Sequence, residues 1–339
     1  MMRSDELASM ETQVLPSVLQ PSVVEAIDAA VRLLREGAVV ALPTETVYGL
    51  AGDALNAGAA ARIFEAKQRP FFDPLICHLP DAGWLDRMTQ IPEGSQSLVN
   101  ELVSRFWPGP LTLVLPRRAE VPDLVSSGLP TVAVRQSAHP LFAQVVGRFG
   151  GPLAAPSANR FGRISPTCAA HVLAELGGKI PLVLDGGPAL HGVESTIVAV
   201  GSEKDRMRLL RSGPITREQL EAFGAVELVC ETVLEHPEAP GQLKSHYAPR
   251  TPTVIASKGV PVVARAGRCG LLAWRKEAPG FEKTEVLSCE GNLREAAAGL
   301  FARLRRLDEA GLDCIVVELV PEEGIGAAIN DRLRKASGV

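Results

Sequence analysis

Hydrophobic positions recur along this chain at two periods, and the changes of period mark out its elements. Val24, Ile27, Val31 and Leu34 fall at helical spacing, with Ser22 and Glu25 at the capping-box interval and Gly37 as the stop. The next run, AVVAL at 38–42, reads as a buried strand closed by Pro43. Beyond it the two patterns take turns. Helical spacing predicts helices at about 59–67, 96–106, 140–149 and 167–176. Strand-like runs fall at 75–79, 111–115, 131–135, 153–155, 182–184 and 196–200. Such alternation predicts an α/β fold, with helices packed on a sheet.

The pattern fails around 224–250, where HPEAPGQLKSHYAPRTP is rich in Pro and polar residues and reads as a linker. A second alternating stretch follows, with strands expected at 254–256, 271–274 and 314–319 and helices at 293–307 and 326–335. Gly324 and Gly326 read as the start of the last helix. A chain of 339 residues is long for a single core. The expected division is an N-terminal extension (1–19), a main α/β domain (20–222), a linker (223–250) and a smaller C-terminal α/β domain (251–339).

Composition narrows the class. Hydrophobic residues make up 46% and charged residues 22%, an ordinary globular balance. Aromatics are only 4%, so the core is expected to rest on Val, Leu, Ile and Ala. A net charge of -4 argues against adhesion to nucleic acid by bulk electrostatics. The six cysteines, Cys77, Cys168, Cys230, Cys269, Cys289 and Cys314, form no CxxC pair, which suggests neither a disulfide scaffold nor a zinc site and fits a reducing compartment. The start, MMRSDELASMETQVLP, is polar and acidic, unlike a signal peptide, and no apolar run reaches the roughly 18 residues that would span a bilayer. The expectation is a soluble, cytoplasmic protein with no membrane contact.

Four turns carry the polar chemistry. Pro43-Thr44-Glu45-Thr46-Val47-Tyr48-Gly49-Leu50 follows a buried strand and is either a capped turn or a binding loop. Lys67-Gln68-Arg69-Pro70, with Asp73 and His78 beyond it, is either a helix end capped by cations or a pair of phosphate donors. In Thr131-Val132-Ala133-Val134-Arg135, alternation puts Thr131, Ala133 and Arg135 on one face. An arginine on such an apolar face must meet an anion, from the protein or from a ligand. Finally, Ala154-Ala155-Pro156-Ser157-Ala158-Asn159 leads to Ser165-Pro166-Thr167, where small residues allow close approach to a ligand and Ser165 or Thr167 is placed to cap a helix. No Walker A string, HExxH, GxSxG or dinucleotide fingerprint is present.

Taken in order, these strings resemble the YrdC-like threonylcarbamoyl-AMP synthase family: PTETVYGL (43–50), KQRP and DPLICH (67–78), FWPGPLT (106–112), TVAVR (131–135), AAPSAN (154–159), SPT (165–167), GVESTIV (192–198) and RSG (211–213). SHYAP (245–249) and GIGAAINDRLRKA (324–336) extend the resemblance to the larger two-domain form. It implies a twisted mixed sheet followed by a Rossmann-like C-terminal domain. It also implies a nucleotidyltransferase that makes threonylcarbamoyl-AMP and pyrophosphate from L-threonine, bicarbonate and ATP with Mg²⁺. The product would supply downstream tRNA threonylcarbamoyl-transfer proteins that modify an adenosine beside the anticodon, with direct tRNA contact left open.

Carried over, the resemblance sets Thr46, His78, Arg135, Ala155 and Ser195 around threonine, Arg135 meeting its carboxylate. Lys67 and Arg69 would face the phosphates as the catalytic cations. Asp73, Thr131, Ser157, Asn159, Ser165 and Arg211 would line the rest of the ATP site, and Tyr247, with His246, would reach back as a lid. The family more often has Asn where Asp73 stands, and a carboxylate there repels phosphate unless it is protonated, turned away or holding a metal. No protein-held metal set is expected. Two other readings remain: a hydrogenase-maturation carbamoyltransferase, for which this chain lacks the length and cysteine pairs, and an RNA-binding module built on Arg62, Lys67, Arg69, Arg105, Arg117, Arg118, Arg160 and Arg163, for which no aromatic platform is evident.

Overall fold

The computed structural model describes residues 11–16, 22–229, 237–243, 247–257 and 267–338. The expected capping role of the Ser22 side chain, residues 1–10 and His246 lie outside the described residues.

Eleven strands form one mixed sheet: β1 (Gln13–Pro16), β2 (Val40–Leu42), β3 (Gly49–Asp53), β4 (Ile76–His78), β5 (Leu111–Pro116), β6 (Thr131–Arg135), β7 (Leu153–Ala154), β8 (Leu182–Asp185), β9 (Thr196–Val200), β10 (Arg206–Arg211) and β11 (Ala225–Leu228). Their order across the sheet is β1-β8-β2-β3-β7-β4-β6-β5-β9-β10-β11. The pleat sends alternate residues to opposite faces, and the core clusters follow that rule. Ala41, Leu50, Cys77, Leu113, Val132, Val134 and Val198 face one way, into a core with helices Ala57–Lys67 and Gln96–Phe106.

The other face is covered in two pieces. At the β8–β2–β3–β7 end, helices Ser22–Arg35 and Pro140–Phe149 pack Ile27, Val31, Leu34, Phe142 and Val145 onto Val40, Leu42, Leu153 and Leu184. At the β4–β6–β5–β9–β10 end no helix among the described residues serves as cover. Instead fully buried Ala239, from the stretch read as a linker, sits on Ile76, Val114, Ala133, Ile197, Ala199 and Leu210. The seam between the helical cover and the linker cover is where a cleft opens.

Four further strands, β12 (Thr253–Ile255), β13 (Cys269–Ala273), β14 (Lys283–Val286) and β15 (Cys314–Val317), form a parallel sheet in the order β12-β15-β13-β14. Helices Leu293–Asp308 and Gly326–Ala336 share its core through Leu300, Phe301, Leu304, Ile329 and Leu333. Two arginines from these helices reach the larger sheet's unit. Arg305 donates to the Ile164 carbonyl and pairs with Glu175 at 3.2 Å, and Arg332 pairs with Glu194 at 2.9 Å.

Several elements differ from the sequence reading. Gly49–Asp53, of which Gly49 and Leu50 belong to the turn read at 43–50, is a strand: glycine-rich GLAGD carries little β-propensity but is held between β2 and β7. Ala225–Leu228 is also a strand, paired with β10, although it lies in the stretch read as linker. The helix expected from 167 starts at Ala169, after Cys168, and neither Ser165 nor Thr167 caps it.

Candidate active site

The cleft is built from strand ends. β2 runs into a turn that Thr44 holds: its Oγ1 donates to the Val47 carbonyl at 2.6 Å and accepts from the Thr46 and Val47 amides. This fixes Glu45 and Thr46 toward the end of β6. There the buried Arg135 guanidinium donates from Nη2 to Glu45 Oε1 (2.5 Å), from Nη1 to Thr46 Oγ1 (3.1 Å) and from Nε to the Gly109 carbonyl (3.1 Å). Ser137 donates to the second Glu45 oxygen. Burial alone would raise the Glu45 pKa, but Arg135 and these hydrogen bonds outweigh it and hold the carboxyl at about 2.

His78, next to Arg135 in the β4–β6 register, is buried with its ring centroid 4.6 Å from that of Phe142. Burial, with Arg135 adding to it and Glu45 opposing, lowers its pKa to about 3, so the imidazole is neutral near pH 7. Its Nδ1 has no hydrogen-bond partner among the described residues.

Across the cleft Arg211 closes β10. Its Nε donates to the Ser195 carbonyl, Nη2 to Ser195 Oγ and Nη1 to the Pro240 carbonyl, all at 3.0–3.1 Å. Thr112 shares a hydrogen bond with the same Ser195 hydroxyl at 2.8 Å. Among the described residues no carboxylate lies within ion-pairing distance of Arg211. Burial in such surroundings is costly for a cation and suits an incoming anion.

Backbone fit closes the walls. A Cβ on Gly49 would come within 3.2 Å of the Ala155 Cβ, and one on Gly241, already at φ +88°, within 2.5 Å of the Tyr247 hydroxyl. Tyr247 itself is buried at φ 63°, its ring 5.7 Å from Phe301 of the C-terminal part and 5.1 Å from the Arg332 guanidinium.

These strand-end turns coincide with recognisable sequence families. The Sua5/YciO/YrdC model, described as Telomere recombination, matches residues 32–213, and the model described as Threonylcarbamoyl-AMP synthase, C-terminal domain, matches residues 215–338. The chain is 41% identical over 324 residues to the threonylcarbamoyl-AMP synthase of Bacillus subtilis, covering 91% of this chain and 92% of that protein. The chain belongs to the two-domain threonylcarbamoyl-AMP synthase family. To the Pyrococcus abyssi synthase it is 39% identical, covering 91% of this chain and 93% of that one. The crystal structure of P. abyssi Sua5 complexed with L-threonine is similar, with a TM-score of 0.87 at 35% identity, covering 96% of this chain and 98% of that one. Membership makes the chain an enzyme and identifies the fold as the two-domain form. No helix among the described residues is long and apolar enough to cross a membrane.

Of the residues expected in a synthase site, Thr46, His78, Arg135, Ala155 and Ser195 line the cleft together with Arg69, Ser157, Arg211 and Tyr247. Lys67 does not line it. Its ammonium is fully buried and donates to the Ser157 and Asn159 carbonyls, the latter at 2.6 Å. Burial pushes its pKa well below the usual range, with Arg69 adding to the push and Asp73 and Glu175 opposing it. Asp73 is turned away from the cleft into a buried 2.8 Å ion pair with Arg69, whose Nε and Nη2 also donate to the Asp73 and Pro74 carbonyls. Asn159 ties down its own turn by donating to the Arg160 and Arg163 carbonyls, and Ser165 donates to Glu194 Oε1 at 2.5 Å. Thr131 lies on the Arg135 face of β6 but opens onto a separate surface cleft with Pro116, Arg208 and Glu238.

Sequence reasoning did not assign Glu45, Ser137, Thr112 or Glu194. A signal for Glu45 existed, since an arginine on an apolar strand face needs an anion. Its sequence separation of 90 residues hid the partner. Four of the arginines that suggested an RNA surface are engaged within the protein: Arg62 bonds the Gly37 carbonyl, Arg117 pairs with Asp123, Arg118 bonds backbone carbonyls and Arg160 pairs with Glu175.

Proposed function

We propose that this cleft condenses L-threonine, bicarbonate and ATP into threonylcarbamoyl-AMP and pyrophosphate, the activity for which its relatives are named. One observation carries the reading: residues assigned to the threonine side (Thr46, His78, Arg135, Ala155, Ser195) and to the nucleotide side (Arg69, Ser157, Arg211, Tyr247) line a single cleft. Threonine would sit at the Arg135 end. There its carboxylate takes hydrogen bonds from a guanidinium preset by Glu45, and neutral His78 accepts from its ammonium or hydroxyl. Arg211 and Arg69 would take phosphate oxygens.

The chemistry asks mainly for positioning. The threonine amine and bicarbonate give a carbamate and water. A carbamate oxygen then attacks the α-phosphorus, forming the new P–O bond as the α–β anhydride bond breaks and pyrophosphate leaves. That makes the enzyme a nucleotidyltransferase, and holding a short-lived carbamate in line with the phosphate is its main contribution. Mg²⁺ belongs to this scheme as part of the ATP substrate. Among the described residues the nearby carboxylates Glu45, Glu194 and Asp73 are each engaged by an arginine. Lys67 acts by shaping the Ser157–Asn159 turn, and Arg69 is the cation of that pair that meets phosphate.

The linker must move for ATP to enter. The cleft holds about 40 Å³, room for a few waters at roughly 10–15 Å³ each. Lifting Ala239, Pro240 and Gly241 would join this cleft to the one at Thr131 along the shared face of β6, roughly 13 Å from Arg135 at strand rise. Such a trough fits a nucleotide and gives Thr131 a place on its base side. The test is pyrophosphate release from Mg·ATP with threonine and bicarbonate omitted in turn. Release independent of threonine would sink the assignment.

A further inference from the structure

Four charges meet where the C-terminal helix Gly326–Ala336 touches the cleft. Glu194, which lines the cleft, accepts from Ser165 Oγ on Oε1 and from Arg332 Nε on Oε2, the latter at 2.9 Å. Arg332 is 1% exposed and its Nη1 donates to Asp331, which in turn pairs with Lys335 at 2.6 Å. Two carboxylates are thus matched by two cations in one cluster, buried except for the partly exposed Asp331. Just beyond it, Arg211 bonds the carbonyl and hydroxyl of Ser195, the residue after Glu194, and has no carboxylate contact among the described residues.

A buried carboxylate takes the best cation within reach, because an uncompensated charge in such surroundings is costly. Glu194 takes Arg332, and Arg211 is a further cation lining the same cleft. There it feels the Glu194 charge. We propose that Arg332 is a positioning residue supplied by the C-terminal domain, which holds the Glu194 carboxylate aside so that Arg211 stays available to an anionic ligand. Resting on the synthase reading, that ligand is the polyphosphate of ATP. The ring of Tyr247, stacked on the same guanidinium, keeps Arg332 seated. The C-terminal domain thereby contributes to nucleotide affinity without touching the nucleotide.

The inference makes a prediction that a purely structural ion pair does not. In Arg332→Met the freed Glu194 carboxylate turns to Arg211 and cancels its charge, so Mg·ATP binding to the full chain, followed calorimetrically, should weaken by about thirtyfold. Threonine binding should change less than about threefold, because Arg135 keeps its own partner, Glu45. Adding Glu194→Gln removes the competing charge and should bring ATP affinity back to within about fivefold of the unaltered chain. If Glu194→Gln fails to restore ATP binding, or if Arg332→Met leaves it intact, the sequestration idea is overturned. Should Arg332→Met be too unstable to assay, Arg332→Lys takes its place: a loss of about threefold or more that Glu194→Gln reverses supports the idea, and one it does not reverse overturns it. Failure of the unaltered chain to bind Mg·ATP at all would instead overturn the nucleotide reading on which this rests.

Discussion

At one end of the cleft Arg135 meets Glu45 at 2.5 Å and Thr46 at 3.1 Å, and at the other Arg211 meets, among the described residues, only neutral oxygens. The first end is electrically closed. Its cation and anion cancel, its neutral histidine is desolvated, and what it offers a ligand is directional hydrogen bonds. The second end keeps a net positive charge and is roofed by a linker segment rather than by a helix. On the proposed function, the contrast would let two substrates be read in one cavity by different means. An amino acid, itself a zwitterion, suits a preset and neutral frame, whereas a polyanion suits a cation left unbalanced until it arrives.

The largest expected effect comes from breaking the closed end. Arg135→Ala leaves Glu45 buried without its partner and should lower unfolding free energy by about 3–5 kcal/mol in denaturant titrations. Threonine binding should fall far more than ATP binding. Adding Glu45→Gln should return much of the stability but none of the threonine affinity, and if both returned together the guanidinium would have no ligand role. Next comes the open end. Arg211→Met should reduce threonine-dependent pyrophosphate release by about 100-fold, near 2.7 kcal/mol, while threonine binding holds. Equal losses for both ligands would erase the distinction between the two ends.

A third effect tests whether the Arg135 end is already dry. His78 has a folded pKa of about 3 against an unfolded value of 6.5. The unfolded chain therefore binds the extra proton first, and stability is lost as pH falls from 6.5 toward 3, with no contribution above 6.5. Between pH 6.5 and 5 the loss should be about 2 kcal/mol, and His78→Gln should remove it from a series of melts. An unchanged slope would mean the ring is not desolvated. The smallest effect concerns the roof. Gly241→Ala places a Cβ 2.5 Å from the Tyr247 hydroxyl at φ +88° and should unseat the linker by about 1 kcal/mol. ATP should then bind a few times more tightly and threonine as before, and weaker ATP binding would show that the seated linker does not stand in its way.

How much of this was legible depended on distance along the chain. Alternation alone separated Val132 and Val134, now in the helical core, from Ala133 and Arg135 on the opposite face, where Ala133 lies under Ala239 and Arg135 lines the cleft. The strings around Thr46, His78, Ser157 and Ser195 named turns that the fold gathers into one place. Pairings between distant residues were not legible. Nothing local marks Glu194 as the partner of Arg332, 138 residues away, or Glu45 as that of Arg135. Short strands were lost for another reason: GLAGD and AVEL are held by their neighbours in the sheet, so their own composition did not announce them. The Asp73 carboxylate looked hostile to phosphate until its partner was visible, because the sequence cannot show which way a side chain turns.

Tyr247 occupies a backbone conformation that glycine or asparagine adopts at less cost, yet it carries a ring clasped between Phe301 and Arg332. Replacing it with glycine would relax the chain locally and discard the clasp. Emptying so large a buried site costs about 3–5 kcal/mol, more than the roughly 1–2 kcal/mol of strain that glycine would relieve, so the clasp decides the position. A library randomised at residue 247 and sorted by melting temperature should therefore keep tyrosine or another aromatic, and a drift to glycine or asparagine would show that the strain outweighs the clasp.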